Sequence, residues 1–165
     1  MISIVPITAQ NVSVFKAVRL RALQDSPFAF GSTYARESQF TDEEWLKRAE
    51  NWNGEKGAGF LAIDGDMACG IAGAFLDQED PTRASLVSMW TAPTHRKGGV
   101  GKMLVREAEG WARRAGAVTM RLMVTSPNHS AQLFYERLGF VFTGVHEPWP
   151  NDPSLFEYEM SRRIV

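Results

Sequence analysis

Cysteine is almost absent from this chain. Cys69 stands alone among 165 residues, which excludes an intramolecular disulfide or a thiolate metal cluster and suits a reducing compartment. Long hydrophobic runs are missing too, since no stretch approaches the roughly eighteen apolar residues of a membrane span. The N-terminal MISIVPITAQNVSVF lacks a basic region leading into an apolar run and a small-residue cleavage site. Neither secretion nor a membrane partner is expected, and a cytoplasmic location follows as the expectation. Histidine is sparse: His95, His129 and His146 are scattered without metal-ligand spacing, so no metal is expected. Charge of one sign is not in excess, because 18 Lys and Arg against 19 Asp and Glu leave a net −1. A non-specific nucleic-acid binder would carry a basic surplus, so nucleic acid is not an expected partner. Repeats, low-complexity tracts and linkers are lacking as well. At about 150 residues per domain, residues 1–165 read as one domain.

What is present is an alternation of strand and helix patterns. Residues 2–7 (ISIVPI) read as an edge strand, since Pro6 cannot donate to a ladder. Residues 11–24 carry Val14, Val18, Arg21 and Leu23 at approximate helical spacing. Thr41 followed by Glu44 forms a capping-box pattern before Trp45, Leu46, Ala49 and Trp52. Residues 58–64 and 67–76 read as strands joined by an Asp64-Gly65-Asp66 turn, and 84–91 as a fourth strand. A helix over about 99–115 puts Val100, Leu104, Ala108, Trp111 and Ala115 on one stripe, with Gly116 as its stop. A strand over 118–125 completes a parallel strand–helix–strand unit, whose ligands bind at the carboxyl ends of the strands. A short helix over 129–138 and strands over 140–146 and 155–162 close the chain. The fold class is mixed α/β, with a sheet of about seven strands flanked by about four helices.

The segment from Met89 to Lys102 (MWTAPTHRKGGVGK) is the most informative. Glycines between a strand and a helix let the backbone approach a ligand while free helix N–H groups face it, and Arg96, Lys97 and Lys102 add positive charge. Residues 95–114 also hold Arg106, Arg113 and Arg114 against only Glu107 and Glu109. A phosphate or pyrophosphate is the expected guest. A dinucleotide fingerprint fails, because Leu104 stands where the third glycine should be. Lys97-Gly-Gly-Val-Gly-Lys102 looks like a variant Walker ATPase loop, but Met103 stands where a hydroxyl should meet magnesium.

The third reading is coenzyme A. Arg96-Lys-Gly-Gly99-Val-Gly101 matches the pyrophosphate signature of the GNAT acetyltransferases, and Asn128-His-Ser-Ala131-Gln-Leu-Phe-Tyr135-Glu-Arg-Leu-Gly139-Phe140 resembles the family's next motif. The chain therefore resembles the GNAT superfamily, sharply over about 84–143. The resemblance implies a GNAT-like acyltransferase fold with acetyl-CoA as cofactor. It gives the pyrophosphate to the backbone of Arg96, Lys97, Gly98, Gly99, Val100 and Gly101, and to Lys102. It gives the cofactor arm to Asn128, with Ala131 small enough to let it pass, and the sulfur to Tyr135.

Acetyl transfer to an amine needs a deprotonated nitrogen, an oxyanion donor and an acid for the departing thiolate. Tyr135 is the candidate acid. The backbone around Met89, Trp90 and Thr91 supplies candidate oxyanion and pantetheine contacts, provided that its strand splays from the next. No carboxylate lies on that strand. Ser88 is its only polar residue near the middle and is a catalytic candidate, although serine is no base at neutral pH. A water relay from Glu37, Asp77, Glu79 or His146 is the alternative route.

Acceptor specificity is expected from loops over 25–37 and 145–153, with Phe28, Phe30, Tyr34, Glu37, His146 and Trp149 as candidate substrate contacts. The expected function is acetyl transfer from acetyl-CoA to a primary amine of a small molecule by direct attack in a ternary complex. Peptide or protein acetylation, a non-catalytic acyl-CoA-binding module and the ATPase are the alternatives. The closing strands and the Trp149 loop could support a homodimer.

Overall fold

The computed structural model describes residues 1–165. Its strands are β1 (Ile2–Pro6), β2 (Gly57–Asp64), β3 (Met67–Leu76), β4 (Arg83–Thr91), β5 (Thr119–Thr125), β6 (Val141–Trp149) and β7 (Asp152–Arg163). They form one sheet in the order β1-β2-β3-β4-β5-β7-β6. Every neighbouring pair is antiparallel except β4 and β5. The Pro6 strand therefore lies at an edge, where a missing donor is tolerated.

The helices are α1 (Val12–Asp25), α2 (Tyr34–Glu37), α3 (Asp42–Asn51), α4 (Val100–Arg114) and α5 (His129–Arg137). That is one more than the sequence pattern suggests. The addition, α2, is a single turn capped by the Thr33 hydroxyl, which accepts from the Arg36 N–H at 3.1 Å. A four-residue helix has no periodicity to read.

The α1 stripe also differs from its expected composition. Phe15, Val18, Arg19, Ala22 and Leu23 face inward, whereas Val14 is exposed. The 145–153 segment is not a loop: β6 runs through Pro148 to Trp149, and only residues 150–151 separate it from β7. Proline is accommodated there because β6 is the other edge strand.

Two layers of helix cover the sheet. On one face, Leu104 of α4 lies so near Gly70 of β3 that a Cβ there would approach its Cδ1 to 2.9 Å. On the other, Trp52 lies flat over β2 and β3, and a Cβ on Gly59 would fall 1.8 Å from its ring. Phe15 of α1 and Trp45 of α3 pack edge to face beside it, with ring centroids 5.4 Å apart. Burying rings of this size supplies much of the hydrophobic stabilisation on that face. α4 ends as its sequence implies, with the Gly116 N–H donating to the Arg113 carbonyl. No helix is long and apolar enough to cross a membrane. No group of three or more His, Cys, Asp and Glu is placed to hold a metal ion.

Candidate active site

The parallel seam between β4 and β5 is where the sheet opens. The two strands pair only at Arg83–Thr119, Ala84–Met120 and Ser85–Arg121, while β5 continues to Thr125 against β7. The cause lies in β4. Its register with β3 shifts between Ile71 and Gly73, and Ser88 takes a left-handed φ of 60°. Such a conformation costs a non-glycine residue roughly 1–3 kcal/mol and persists only where its surroundings hold it. Here Arg19 of α1 donates to the Ser88 hydroxyl at 3.2 Å. The bulge steers β4 away from β5 and leaves main-chain groups beyond Ser85 without a β5 partner. Ser88 thus shapes the opening while its hydroxyl is engaged with Arg19.

The opening is a cleft of about 320 Å³ lined by β4, β5, α5 and the 28–31 segment. Of the residues singled out in the sequence, Phe28, Phe30, Ser88, Met89, Asn128, Ala131, Tyr135 and Trp149 line it. Tyr135 is 8% exposed, and burial raises its phenol well above the ordinary value. The Asn128 side chain caps α5 through the Ala131 N–H at 3.4 Å. Gln132 ties that helix back to β5, donating to the Thr125 and Ser126 carbonyls at 3.0 and 3.2 Å. The 28–32 segment is fastened over the cleft. The Thr125 hydroxyl donates to the Phe28 carbonyl at 2.7 Å, and the Trp149 indole N–H donates to the Phe30 carbonyl at 3.3 Å.

The remaining predicted contacts lie elsewhere. Tyr34 is exposed on α2, away from the cleft. His146 is exposed on β6, with its ring 5.5 Å from that of Phe156. Neither Asp77 nor Glu79 lines the cleft; Asp77 pairs with Arg83 in the turn after β3. Glu37 is not a solvated group: its side chain is 2% exposed and bonds Arg19 and Arg48, each at 2.9 Å. Burial opposes its ionisation, but the bonds and charge from Arg19, with Arg48 adding to them, hold its pKa at about 2. It stabilises Arg19 and cannot accept a proton near neutral pH.

At the carboxyl end of β4, the loop into α4 is strained in the way that an anion cradle requires. Lys97 and Gly99 have φ of 67° and 87°, and Gly99 caps α4 without any side-chain bond to the free N–H groups. No acidic residue occupies the first turn. Val100 is buried, so only its main chain is available. Gly101 serves packing: a Cβ there would meet the Phe134 ring at 3.0 Å. Trp90 is buried and Arg96 is exposed, and both side chains are engaged in bonds within the protein. The Trp90 indole donates to Asp25 at 2.9 Å, and Arg96 donates to the same carboxylate and to the Thr91 carbonyl. Lys97 and Lys102 are the exposed cations of this loop without an ion-pair partner.

Sequence reasoning missed the three charged residues that line the cleft: Arg19, Arg121 and Glu157. Arg19 falls inside the Phe15–Val18–Ala22 stripe, an anomaly visible in the sequence. Arg121 pairs with Glu159 at 3.2 Å. Glu157 faces the cleft from β7, and strand alternation around Phe156 and Tyr158 would have placed it with Glu159.

Comparison with known proteins agrees with this geometry. A profile described as Acetyltransferase (GNAT) family matches residues 19–140. Streptothricin acetyltransferase from Streptomyces lavendulae is 38% identical over 88 residues, which are 52% of this chain and 46% of that protein. The chain therefore matches about half the length of that relative. The crystal structure of a nourseothricin acetyltransferase is 27% identical, with a TM-score of 0.62 over 67% of this chain and 66% of that one. PaiA N-acetyltransferase from Thermoplasma acidophilum, solved in complex with coenzyme A, superimposes over 99% of each chain with a TM-score of 0.78 at 17% identity. With 122 consecutive residues, from the middle of α1 to the end of the α5 motif, matched by the profile, this chain belongs to the acetyltransferase (GNAT) family.

Proposed function

We propose that the protein transfers an acetyl group from acetyl-CoA to a primary amine of a small molecule, within one domain and by direct attack in a ternary complex. The observation that carries this reading is the splay of β4 from β5, which opens toward the uncapped N-terminus of α4. The residues fit the cofactor. Free N–H groups of residues 98–101 and the Lys97 and Lys102 ammonium groups suit its pyrophosphate. The unpaired main-chain edge of β4 around Met89 suits its amide arm and the thioester oxygen. Ala131 leaves space beside them, and the Asn128 amide lies on the cleft wall.

When bound, acetyl-CoA supplies a thioester whose C–S bond breaks as the acceptor nitrogen forms the amide C–N bond; nitrogen gives up one proton and sulfur gains one. Tyr135 keeps its phenolic proton at neutral pH because burial disfavours the phenolate. That proton is the one the departing sulfur takes. Cys69 is fully buried in β3 and lies outside the cleft, so no acyl-enzyme step is assigned to it.

Similarity to streptothricin and nourseothricin acetyltransferases supports a small-molecule amine as acceptor. Calorimetric titration with acetyl-CoA, followed by mass spectrometry of nourseothricin incubated with enzyme and cofactor, tests the reading. Cofactor binding with an acetylated product supports it; absence of acetyl-CoA binding overturns it. The same reading places the protein in the cytoplasm. It pairs two copies through β6, whose Val141, Phe142 and Val145 are exposed along an open strand edge. A monomeric mass in sedimentation equilibrium overturns that pairing.

A further inference from the structure

Four titratable side chains line the cleft: Arg19 from α1, Arg121 from β5, Tyr135 from α5 and Glu157 from β7. Three are committed. Arg19 is neutralised by Glu37, Arg121 by Glu159, and Tyr135 is held protonated. Glu157 alone has no cationic partner within the protein. Around it, β4 contributes only the hydroxyls of Ser85 and Ser88, and β6 contributes another carboxylate, Glu147, directly across the ladder.

We propose that Glu157 is the carboxylate that docks the acceptor amine and takes its proton, and that Glu147 tunes it. This inference rests on the acetyltransferase reading. Glu157 stands opposite Thr125 in the β5–β7 register, so the two side chains share a face. That face is the acceptor side, since Thr125 bonds the Phe28 carbonyl there. Tyr135 packs with Phe134 and Phe140 on the side of α4. Base and acid therefore flank the opening from opposite faces of the sheet, as a transfer with separate proton donor and acceptor requires.

Two further features point to a polar guest. The buried Ser85 hydroxyl and the Arg121 Nε lack hydrogen-bond partners, and both residues line the cleft where β4–β5 pairing ends. Buried polar atoms left unpaired cost free energy until something satisfies them. Burial first, and then the charge of Glu147, raises the Glu157 carboxyl above its ordinary value. Both influences disfavour the charged form of Glu157. As the C–N bond forms, the acceptor nitrogen gives one proton to a Glu157 oxygen. After product leaves, the carboxylic acid returns that proton to water, and water gives Tyr135 back the one it passed to sulfur.

The test uses the full chain and its Glu157→Gln and Glu147→Gln variants. Each is titrated calorimetrically with acetyl-CoA and with nourseothricin, and the Glu157 carboxyl is followed by carbon NMR on adding nourseothricin or 1,5-diaminopentane. Glu157→Gln is expected to keep acetyl-CoA affinity within about twofold and lose kcat/KM by about 100-fold or more, together with the acidic limb of its pH profile. Glu147→Gln is expected to retain that limb but move it to lower pH, because removing the like charge lowers the Glu157 pKa. An unchanged Glu157 resonance with both amines overturns the proposal, as does a Glu157→Gln variant with the wild-type pH profile. Failure of acetyl-CoA to bind the wild type instead overturns the acetyltransferase reading on which the proposal rests.

Discussion

The cofactor half and the acceptor half of the cleft are made of different materials. Around the α4 loop the chain presents main-chain N–H groups, set by Gly99 and Lys97 conformations and closed by helix packing at Gly101. Across the opening it presents charged side chains in pairs far apart in sequence: Arg19 with Glu37, Arg121 with Glu159, and Glu157 facing Glu147. A main-chain cradle binds any ligand of the right shape and charge and tolerates side-chain change. A network of partly buried ions is specific and fragile, since removing one member leaves another without its partner.

That difference predicts where substitutions hurt. Tyr135→Phe removes the single proton donor without disturbing the cradle, so kcat is expected to fall by about 10²–10⁴ while acetyl-CoA affinity in calorimetry is retained. An equal loss of affinity would show the hydroxyl to be a binding group, and the two halves would not divide as described.

Glu37→Gln strikes the other half. It leaves Arg19 buried and under-neutralised, with an expected cost of about 3–5 kcal/mol in urea unfolding. A paired change of Arg19 and Glu37 to apolar residues of similar size should recover much of that stability but not the Ser88 bulge. The sign of the pH effect follows from the depressed pKa. The Glu37 contribution is full above its ordinary value near 4.5 and is lost as pH falls toward about 2. Wild-type unfolding free energy should decline through that window more steeply than that of Glu37→Gln.

The same contrast decides how much could be read from the sequence. The seven strands, the turn at Asp64–Asp66 and the α4 stripe were legible because local periodicity and turn chemistry specify them. The α4 cradle was legible because glycine and cation spacing is local too. Glu37 reads as a relay base or an acceptor contact, and Glu157 is not singled out at all, because their roles depend on Arg19 and Glu147, eighteen and ten positions away. The splay of β4 was posed only as a condition. It depends on a serine adopting a left-handed conformation, which nothing in ASLVSMWT announces. The sequence pattern ends the sixth strand at residue 146 because the proline-bearing 145–153 segment reads as loop, although an edge strand admits proline.

Gly101→Val probes the cradle by packing. A Cβ already meets the Phe134 ring at 3.0 Å, so a branched side chain should push α4 and α5 apart at a cost of about 1–3 kcal/mol. Acetyl-CoA affinity should fall with it, because the N–H groups at the start of α4 move with the helix. Retained affinity in a destabilised variant would place the pyrophosphate contacts outside residues 98–101.

Asp25 is the one ion that joins the two halves, and it supplies the finest test. It ends α1 on the acceptor side, yet it accepts bonds from the Trp90 indole and from Arg96 at the base of the cofactor loop. Burial opposes its ionisation, but bonds from Trp90, Ser26 and Arg96 hold the carboxyl below its ordinary value. Its side chain is 30% exposed, so solvent screens the pair and Asp25→Asn should cost only about 1 kcal/mol or less in stability. The effect on function should be the more visible one. With its guanidinium released from Asp25, Arg96 no longer braces the strained residues 97–99, and acetyl-CoA affinity should drop several-fold through a faster off-rate, while kcat at saturating cofactor is preserved. Unchanged affinity would mean that the loop holds its shape from the glycines and helix packing alone, making the cofactor half independent of side-chain ion pairs.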